Sequence, residues 1–381
     1  MPSDQPIRVS QRNWGIDCLR GMSILLVVIH HLTLSFRLPL KKSLLNDYLP
    51  KRLLDALGFN GYEAVFVFFV ISGYLIASRV LNQYGALERL DWRAFYLRRA
   101  SRILPLLLVL LAVLAALHLL DAPGYVINKP GQSLAGALMS ALGLYLNWYE
   151  GQTTWLPASW DVLWSLSIEE VFYLAFPLVC LWLPRRVLVP VLALLVLSLP
   201  FTKGAIVGNE VWQEKAYLPG MAAIALGVLS AMAAKHWPSP DRKTSRMLLI
   251  LGFFGLLSVF GFGDFIWRAV SHGNMLVLIF SAAALVLGCR NLCADGVAPG
   301  GLGWLAAMGR LSYEIYLSHM FVVLTLVAWY RATFATATGV DLRWGFTVYL
   351  PCIALCVGLA ALLERWITLP CERRLRRGMA V

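Results

Sequence analysis

Arg20 and His31 stand eleven residues apart in a largely apolar stretch running from Asp17-Cys18-Leu19-Arg20-Gly21 to His30-His31. At about 100° per residue, eleven residues make roughly three helical turns, so the two side chains share one face about 16 Å apart. That face carries a fixed cation at one end and a titratable imidazole toward the other. Ionisable groups inside an apolar span are costly and mark functional sites by default. Asp17, one turn before Arg20, can pair with it. The pattern alone also admits a plainer reading, in which the Asp17–Arg20 pair and the histidines are all interfacial. His30 points off the Arg20 face and reads as a packing residue.

Four further segments carry polar groups that chemistry could use. Ser72 and Gly73 sit inside the apolar run from Gly61 to Ile76. A Ser-Gly pair lets a second backbone approach closely, which makes Ser72 structural, although its hydroxyl can still line a cavity. Arg98, Arg99 and Arg102 follow, and in a helix Arg99 and Arg102 face the same way. They read either as ordinary cytoplasmic loop charges or as a phosphate clamp, since guanidinium forks match phosphate oxygens. Trp164-Ser165-Leu166-Ser167-Ile168-Glu169-Glu170 opens another apolar run. Its tryptophan suits either an interfacial belt or stacking on a sugar face. Of the two glutamates, at least one must face a polar cavity. Finally, Tyr313, Glu314 and His319 lie at the start of a late apolar run. With polar groups on several spans, a shared polar cavity becomes the simplest reading.

The elements that hold these residues must be membrane helices. Of 381 residues, 59% are hydrophobic and 14% charged, and the mean hydropathy is +0.69. Soluble domains carry roughly 25% charged residues, so too little polar surface exists here to cover a soluble core. The net charge of +12 does not imply nucleic acid, because the charges form short clusters between apolar runs, as topology-setting loops do. The seven cysteines fall mostly in or beside apolar runs and read as small buried hydrophobes, not as disulfides or metal ligands. Arg8 and Arg12 precede an apolar run that carries Asp17 and Arg20 and is followed by no small-residue cleavage site. It therefore reads as a retained first span rather than a signal peptide.

Spans are expected near 15–36, 59–80, 103–121, 165–184, 187–202, 218–234, 246–262, 274–289, 308–330 and 345–366. The stretch 132–149 is ambiguous. If it does not cross and the N-terminus is cytoplasmic, Arg79, Arg89, Arg93, Arg98, Arg99 and Arg102 face the cytoplasm. Arg185 and Arg186 then do so too, as do Lys235, Arg242, Lys243 and Arg246, and the 373–377 arginines. The expectation is an all-α polytopic protein of ten spans, one domain over 1–381, both termini inside, with 122–164 as an outer segment. The 37–58 connection fits poorly: it would lie outside, yet carries Arg37, Lys41, Lys42, Lys51 and Arg52. Attraction of an anionic acceptor is one role for it. No internal repeat is visible, and no appended soluble domain is expected.

In this order, the segments resemble the acyltransferase-3 family of membrane O-acyltransferases. Arg20 and His31 match its Arg-x10-His motif, and Phe66 to Ile76 its Phe-Phe-Val-x-Ser-Gly segment. Arg99 and Arg102 match Arg-x-x-Arg, Trp164 to Glu169 match Trp-Ser-Leu-Ser-x-Glu, and Ser312 to His319 match Ser-Tyr-x-x-Tyr-Leu-x-His. Leu163 departs from the histidine many members carry there, and Glu364 to Pro370 exceeds the usual Glu-x-Pro. The resemblance implies an enzyme of the cell inner membrane that uses cytoplasmic acyl-CoA, commonly acetyl-CoA, and no metal. Its acceptor would be an extracytoplasmic or lipid-linked carbohydrate, with membrane lipid and a separate extracytoplasmic protein as further partners. It implies His31 as general base or transient acyl carrier, Arg20 as electrostatic anchor of the thioester, and Glu169 as an orienting group. Arg99 and Arg102, with Arg98, would hold the coenzyme phosphates, while Ser72, Trp164, Tyr313 and His319 would line the substrate cavity. A transporter or flippase of a lipid-linked sugar is the competing class; it predicts inverted repeats and broken helices. A glycan polymerase would need a larger outer loop than 122–164.

Overall fold

A helix satisfies every backbone amide within its own segment, as hydrocarbon demands, and this chain is built almost wholly of helices. The computed structural model describes residues 12–34, 37–206, 208–237, 241–294 and 298–377. Arg8 and the last two residues of the expected first span lie outside the described residues.

In chain order the main helices are α1 (Trp14–Thr33), α2 (Lys51–Phe59), α3 (Gly61–Tyr84) and α4 (Trp92–Leu119). Next come α5 (Leu134–Leu142), α6 (Leu146–Thr153), α7 (Trp164–Trp182), α8 (Arg185–Leu197) and α9 (Leu199–Gly204). They are followed by α10 (Glu210–Lys215), α11 (Tyr217–His236), α12 (Arg242–Val270) and α13 (Asn274–Leu292). The chain closes with α14 (Gly303–Arg310), α15 (Ser312–Thr333), α16 (Tyr349–Leu363) and α17 (Leu369–Arg377). A two-stranded hairpin pairs Ala335–Thr336 with Gly339–Val340.

Among the described residues, eight stretches are long and apolar enough to cross a membrane. One of them, 242–292, holds two antiparallel helices, α12 and α13, packed along their lengths where Gly252 meets Leu285 and Gly288 meets Leu249. The expected span 187–202 is divided into α8 and α9, of 13 and 6 residues. Arg185 at its start bonds His236 at the close of α11, while Lys203 at its end donates to Tyr62 at the start of α3. Since α3 and α11 run parallel, α8 and α9 together pass from one end of the bundle to the other. Ten passes result among the described residues, with residues 12 and 377 at the same end. Helices α5 and α6 have nine and eight residues, about 14 Å at most, too short for a core of roughly 30 Å.

Several boundaries differ from expectation for local reasons. Helix α4 begins at Trp92 instead of 103 because Asp91 caps it, accepting from the Ala94 N–H. Arg93, Arg98, Arg99 and Arg102 therefore ride on the membrane helix itself. The expected span 308–330 is interrupted at Leu311 (φ −88°, ψ 7°), which separates α14 from α15. Helix α12 kinks at Phe262 (φ −133°, ψ 31°), between Gly261 and Gly263.

Two contacts bring backbones together, as small residues do inside membranes. A Cβ on Gly73 would lie 2.0 Å from the Ile224 carbonyl oxygen, and one on Gly227 would lie 2.1 Å from that of Val70. These glycines join α3 to α11. A Cβ on Gly21 would lie 2.0 Å from the Leu305 oxygen, and one on Gly309 would lie 1.8 Å from that of Asp17. These fix α14 against α1. Gly227→Leu is expected to lower stability by about 3 kcal/mol, the upper part of the range for overpacking. Gly261→Leu, at a position with nothing within 4 Å, should be neutral. Thermal unfolding of both variants in detergent checks this.

Candidate active site

Arg20 and His31 of α1 are met by the same partner helix. At one level, Arg20 Nη2 donates to Ser312 Oγ at 2.8 Å, at the first residue of α15. At the next, the rings of His31 and His319, also on α15, are centred 5.1 Å apart. The Gly21–Gly309 contact sets how deeply α1 sits beside α14 and the start of α15.

Around Arg20 the charged neighbours are Arg102, Asp17, Glu169 and Arg12. Asp17 forms its ion pair with Arg12, at 3.2 Å, not with Arg20; Arg12, just before the helix, reaches the carboxylate, and Arg20 turns toward α15. Arg99 lies over the Tyr173 ring, 3.9 Å from its centre. The Tyr173 hydroxyl donates to Glu169 and also meets Ser72. One α7 turn thus links Arg99, Glu169 and Ser72. Tyr313 donates to the Ile103 carbonyl at 2.8 Å, one residue past Arg102. Glu170 lies near Arg99, and its Oε1 is buried without a hydrogen-bond partner. Arg98 turns elsewhere and donates to the Tyr84 hydroxyl at 3.4 Å.

Around His31 a second cluster forms at the opposite end. Arg37, 2% exposed, folds back from the loop after α1. Its Nη1 donates to the His31 carbonyl and lies 3.3 Å from His31 Nδ1. Burial pulls its guanidinium down to about 10, so it remains a cation at neutral pH. His30 bonds the Gly58 carbonyl at 3.1 Å and packs against Gly61. Tyr316 of α15 bonds Ser165 (2.6 Å) and the Val162 carbonyl (2.9 Å). Trp164 is stacked on Tyr62, with centres 6.1 Å apart, and lies edge-on to Phe69.

Capping this cluster, Lys215 is fully buried between Glu150 (2.7 Å) and Asp161, beneath the Trp155 ring at 4.1 Å. Burial and the nearby Asp161 carboxylate push Glu150 well above the usual range, while Lys215 opposes them. The triad ties the 122–164 segment to the end of α10, just before α11.

The structure brings Arg20, Arg99, Arg102, Glu169, Ser72 and Tyr313 to one level and His31 with His319 to the other, and leaves Arg98 apart. Sequence reasoning assigned no site role to Tyr173, Tyr316 or Lys215, and did not foresee Arg37 beside His31. Of the cations in the 37–58 connection, Arg37 bonds the His31 carbonyl and Lys41 pairs with Asp55 at 3.5 Å. Lys215→Met would leave two buried carboxylates facing each other. It should cost about 3–5 kcal/mol, the range for a broken buried ion pair. Lys215→Met with Glu150→Gln should recover part of that loss, read by thermal unfolding.

Comparison with known proteins places this arrangement. The chain is 25% identical over 335 residues to O-acetyltransferase OatA of Staphylococcus aureus, covering 83% of this chain and 51% of that protein. It is 27% identical over 336 residues to the peptidoglycan O-acetyltransferase OatA of Listeria monocytogenes, covering 82% and 49%. It is 26% identical over 335 residues to the putative peptidoglycan O-acetyltransferase YrhL of Bacillus subtilis, covering 81% and 48%. The chain spans about half the length of these curated relatives. No solved structure matches. The profile of the acyltransferase domain family (Acyl_transf_3) matches residues 13–365, and the chain belongs to that family.

Proposed function

We propose that this multi-pass membrane protein transfers an acetyl group from cytoplasmic acetyl-CoA to a hydroxyl of an envelope carbohydrate on the other side of the inner membrane. The observation that carries the reading is the polar line along α1. Arg20 and His31 sit half-buried at two depths of an apolar bundle, and α15 meets both. The names of the relatives support O-acetylation, with peptidoglycan as the first acceptor to try. Family membership favours this reading over a transporter.

The end carrying Arg99 and Arg102 also carries Arg185, Lys235 and Arg242, and positive-inside bias makes it cytoplasmic. There the Arg99 and Arg102 guanidinium groups suit the diphosphate of coenzyme A. Arg20, next in line, holds the thioester end electrostatically. His31 receives the proton of the acceptor hydroxyl as that oxygen attacks the acyl carbon; a base must come within about 2.6–3.2 Å of its donor. Glu169, fixed by Tyr173, orients the donor side, and Ser72, Trp164 and Tyr313 shape the cavity. Donor and acceptor then meet inside the bundle without either crossing whole. Membrane lipid surrounds the site, and a separate extracytoplasmic protein is a further partner to seek.

Two outcomes are expected. His31→Ala, expressed at normal level in the native host, removes O-acetyl ester from surface glycan; full retention contradicts the assignment. In the purified protein, Arg102→Ala raises the KM for acetyl-CoA by roughly 10- to 100-fold, matching about 1.5–3 kcal/mol for a hydrogen bond to a charged group, with a smaller change in kcat.

A further inference from the structure

We propose that His319 is a positioning residue that ends a two-histidine proton relay, taking the proton His31 passes on; this rests on His31 meeting the acceptor hydroxyl. The reasoning begins with hydrogen-bond direction. His319 is fully buried, and its Nδ1 lies 2.7 Å from the Tyr316 carbonyl and 3.2 Å from that of Ile315. Carbonyls only accept, so Nδ1 carries the hydrogen and Nε2 the lone pair. That Nε2 is buried with no hydrogen-bond partner. Buried polar atoms are normally paired, and an exception calls for a use.

His31 has the complementary form. Arg37 only donates, and its Nη1 lies 3.3 Å from His31 Nδ1, so Nδ1 is the acceptor and Nε2 carries the hydrogen. His31 thus offers an N–H where His319 offers a lone pair. The ring centres are 5.1 Å apart, close to the roughly 5 Å between two imidazoles joined nitrogen to nitrogen at about 2.8 Å, so turning the rings closes the bond without moving the helices.

In the transfer step, the acceptor hydroxyl displaces the long Arg37 contact at Nδ1. Arg37 keeps its bond to the His31 carbonyl. The hydroxyl O–H bond breaks and its proton passes to His31 Nδ1, while the Nε2 proton passes to His319 Nε2. The hydroxyl oxygen forms the new C–O bond, the C–S bond breaks, and coenzyme A leaves as thiolate. The relay then returns one proton to water and the thiolate takes one up, so the count closes. The charge favours this endpoint. An imidazolium at His31 would adjoin Arg37, with Lys215 and His30 nearby. Asp161 and Glu150 neutralise Lys215, and His30 is held by Gly58. At His319 the cation instead faces two carbonyl oxygens, with the neutral Tyr316 ring alongside and Arg37 as the cation in reach.

The test uses the purified full chain with acetyl-CoA and an N-acetylglucosamine oligomer as probes. His319→Asn keeps an N–H for the carbonyls but removes the Nε2 base. Its kcat should fall about 100-fold or more, the scale of general-base catalysis, with both KM values unchanged. Its activity should climb with pH where the wild type is flat, and imidazole should restore activity to His319→Ala. His319→Asn within twofold of wild type, with the same pH profile, overturns the relay. If His319→Asn does not fold, imidazole rescue of His319→Ala decides, and absence of rescue counts against the relay. His31→Ala runs in parallel. Full activity there removes the functional reading itself, whereas an inactive His31→Ala beside an active His319→Asn removes only the relay.

Discussion

Everything in the site depends on how closely α1 can approach the helices beside it. Gly21 and Gly309 bring α1 and α14 into backbone contact, and the break at Leu311 then starts α15 within reach of Arg20. From there α15 runs beside α1, so Ser312 answers Arg20 and His319 answers His31. A bilayer offers no water to buried polar groups, so these side chains need partners within the bundle. Close packing is therefore a precondition for placing an arginine and a histidine so deep.

The same constraint explains the two ends. At the end bearing the basic clusters, Arg99 lies on Tyr173, and Tyr173 holds Glu169, so the cation is braced by its neighbours. At the other end, Lys215 gathers Glu150 and Asp161 and closes the 122–164 segment over His31. Breaking such a buried group is costly, although its net contribution to stability is small. Its value here is geometric, because it fixes the chain leading into α7, where Val162 and Ser165 both bond Tyr316.

Much of this was legible in the sequence because it is periodic or local. The helical period placed Arg20 and His31 on one face, and the charge clusters set the parity of the passes. Gly73 behaved as its pairing with Ser72 suggested, meeting α11 backbone to backbone. What escaped was long-range. Lys215 is 65 residues from Glu150 and 54 from Asp161, and nothing in either segment signals the other. Arg37 looked like a misplaced loop charge because its partner, a backbone carbonyl, leaves no mark in the sequence. Asp17 pairs with Arg12, which precedes the helix, although Arg20 is nearer in sequence; Arg20 bonds Ser312 of α15 instead.

The central claim is that donor and acceptor enter from opposite ends of one polar line. Vesicles carrying the protein in a known orientation test it most directly. Radiolabelled acetyl-CoA is added to the face bearing Arg99 and Arg102, and glycan oligomer is enclosed on the other side. The account predicts labelled ester on the enclosed glycan, lost with His31→Ala. Label appearing only when glycan and acetyl-CoA share a face would contradict it.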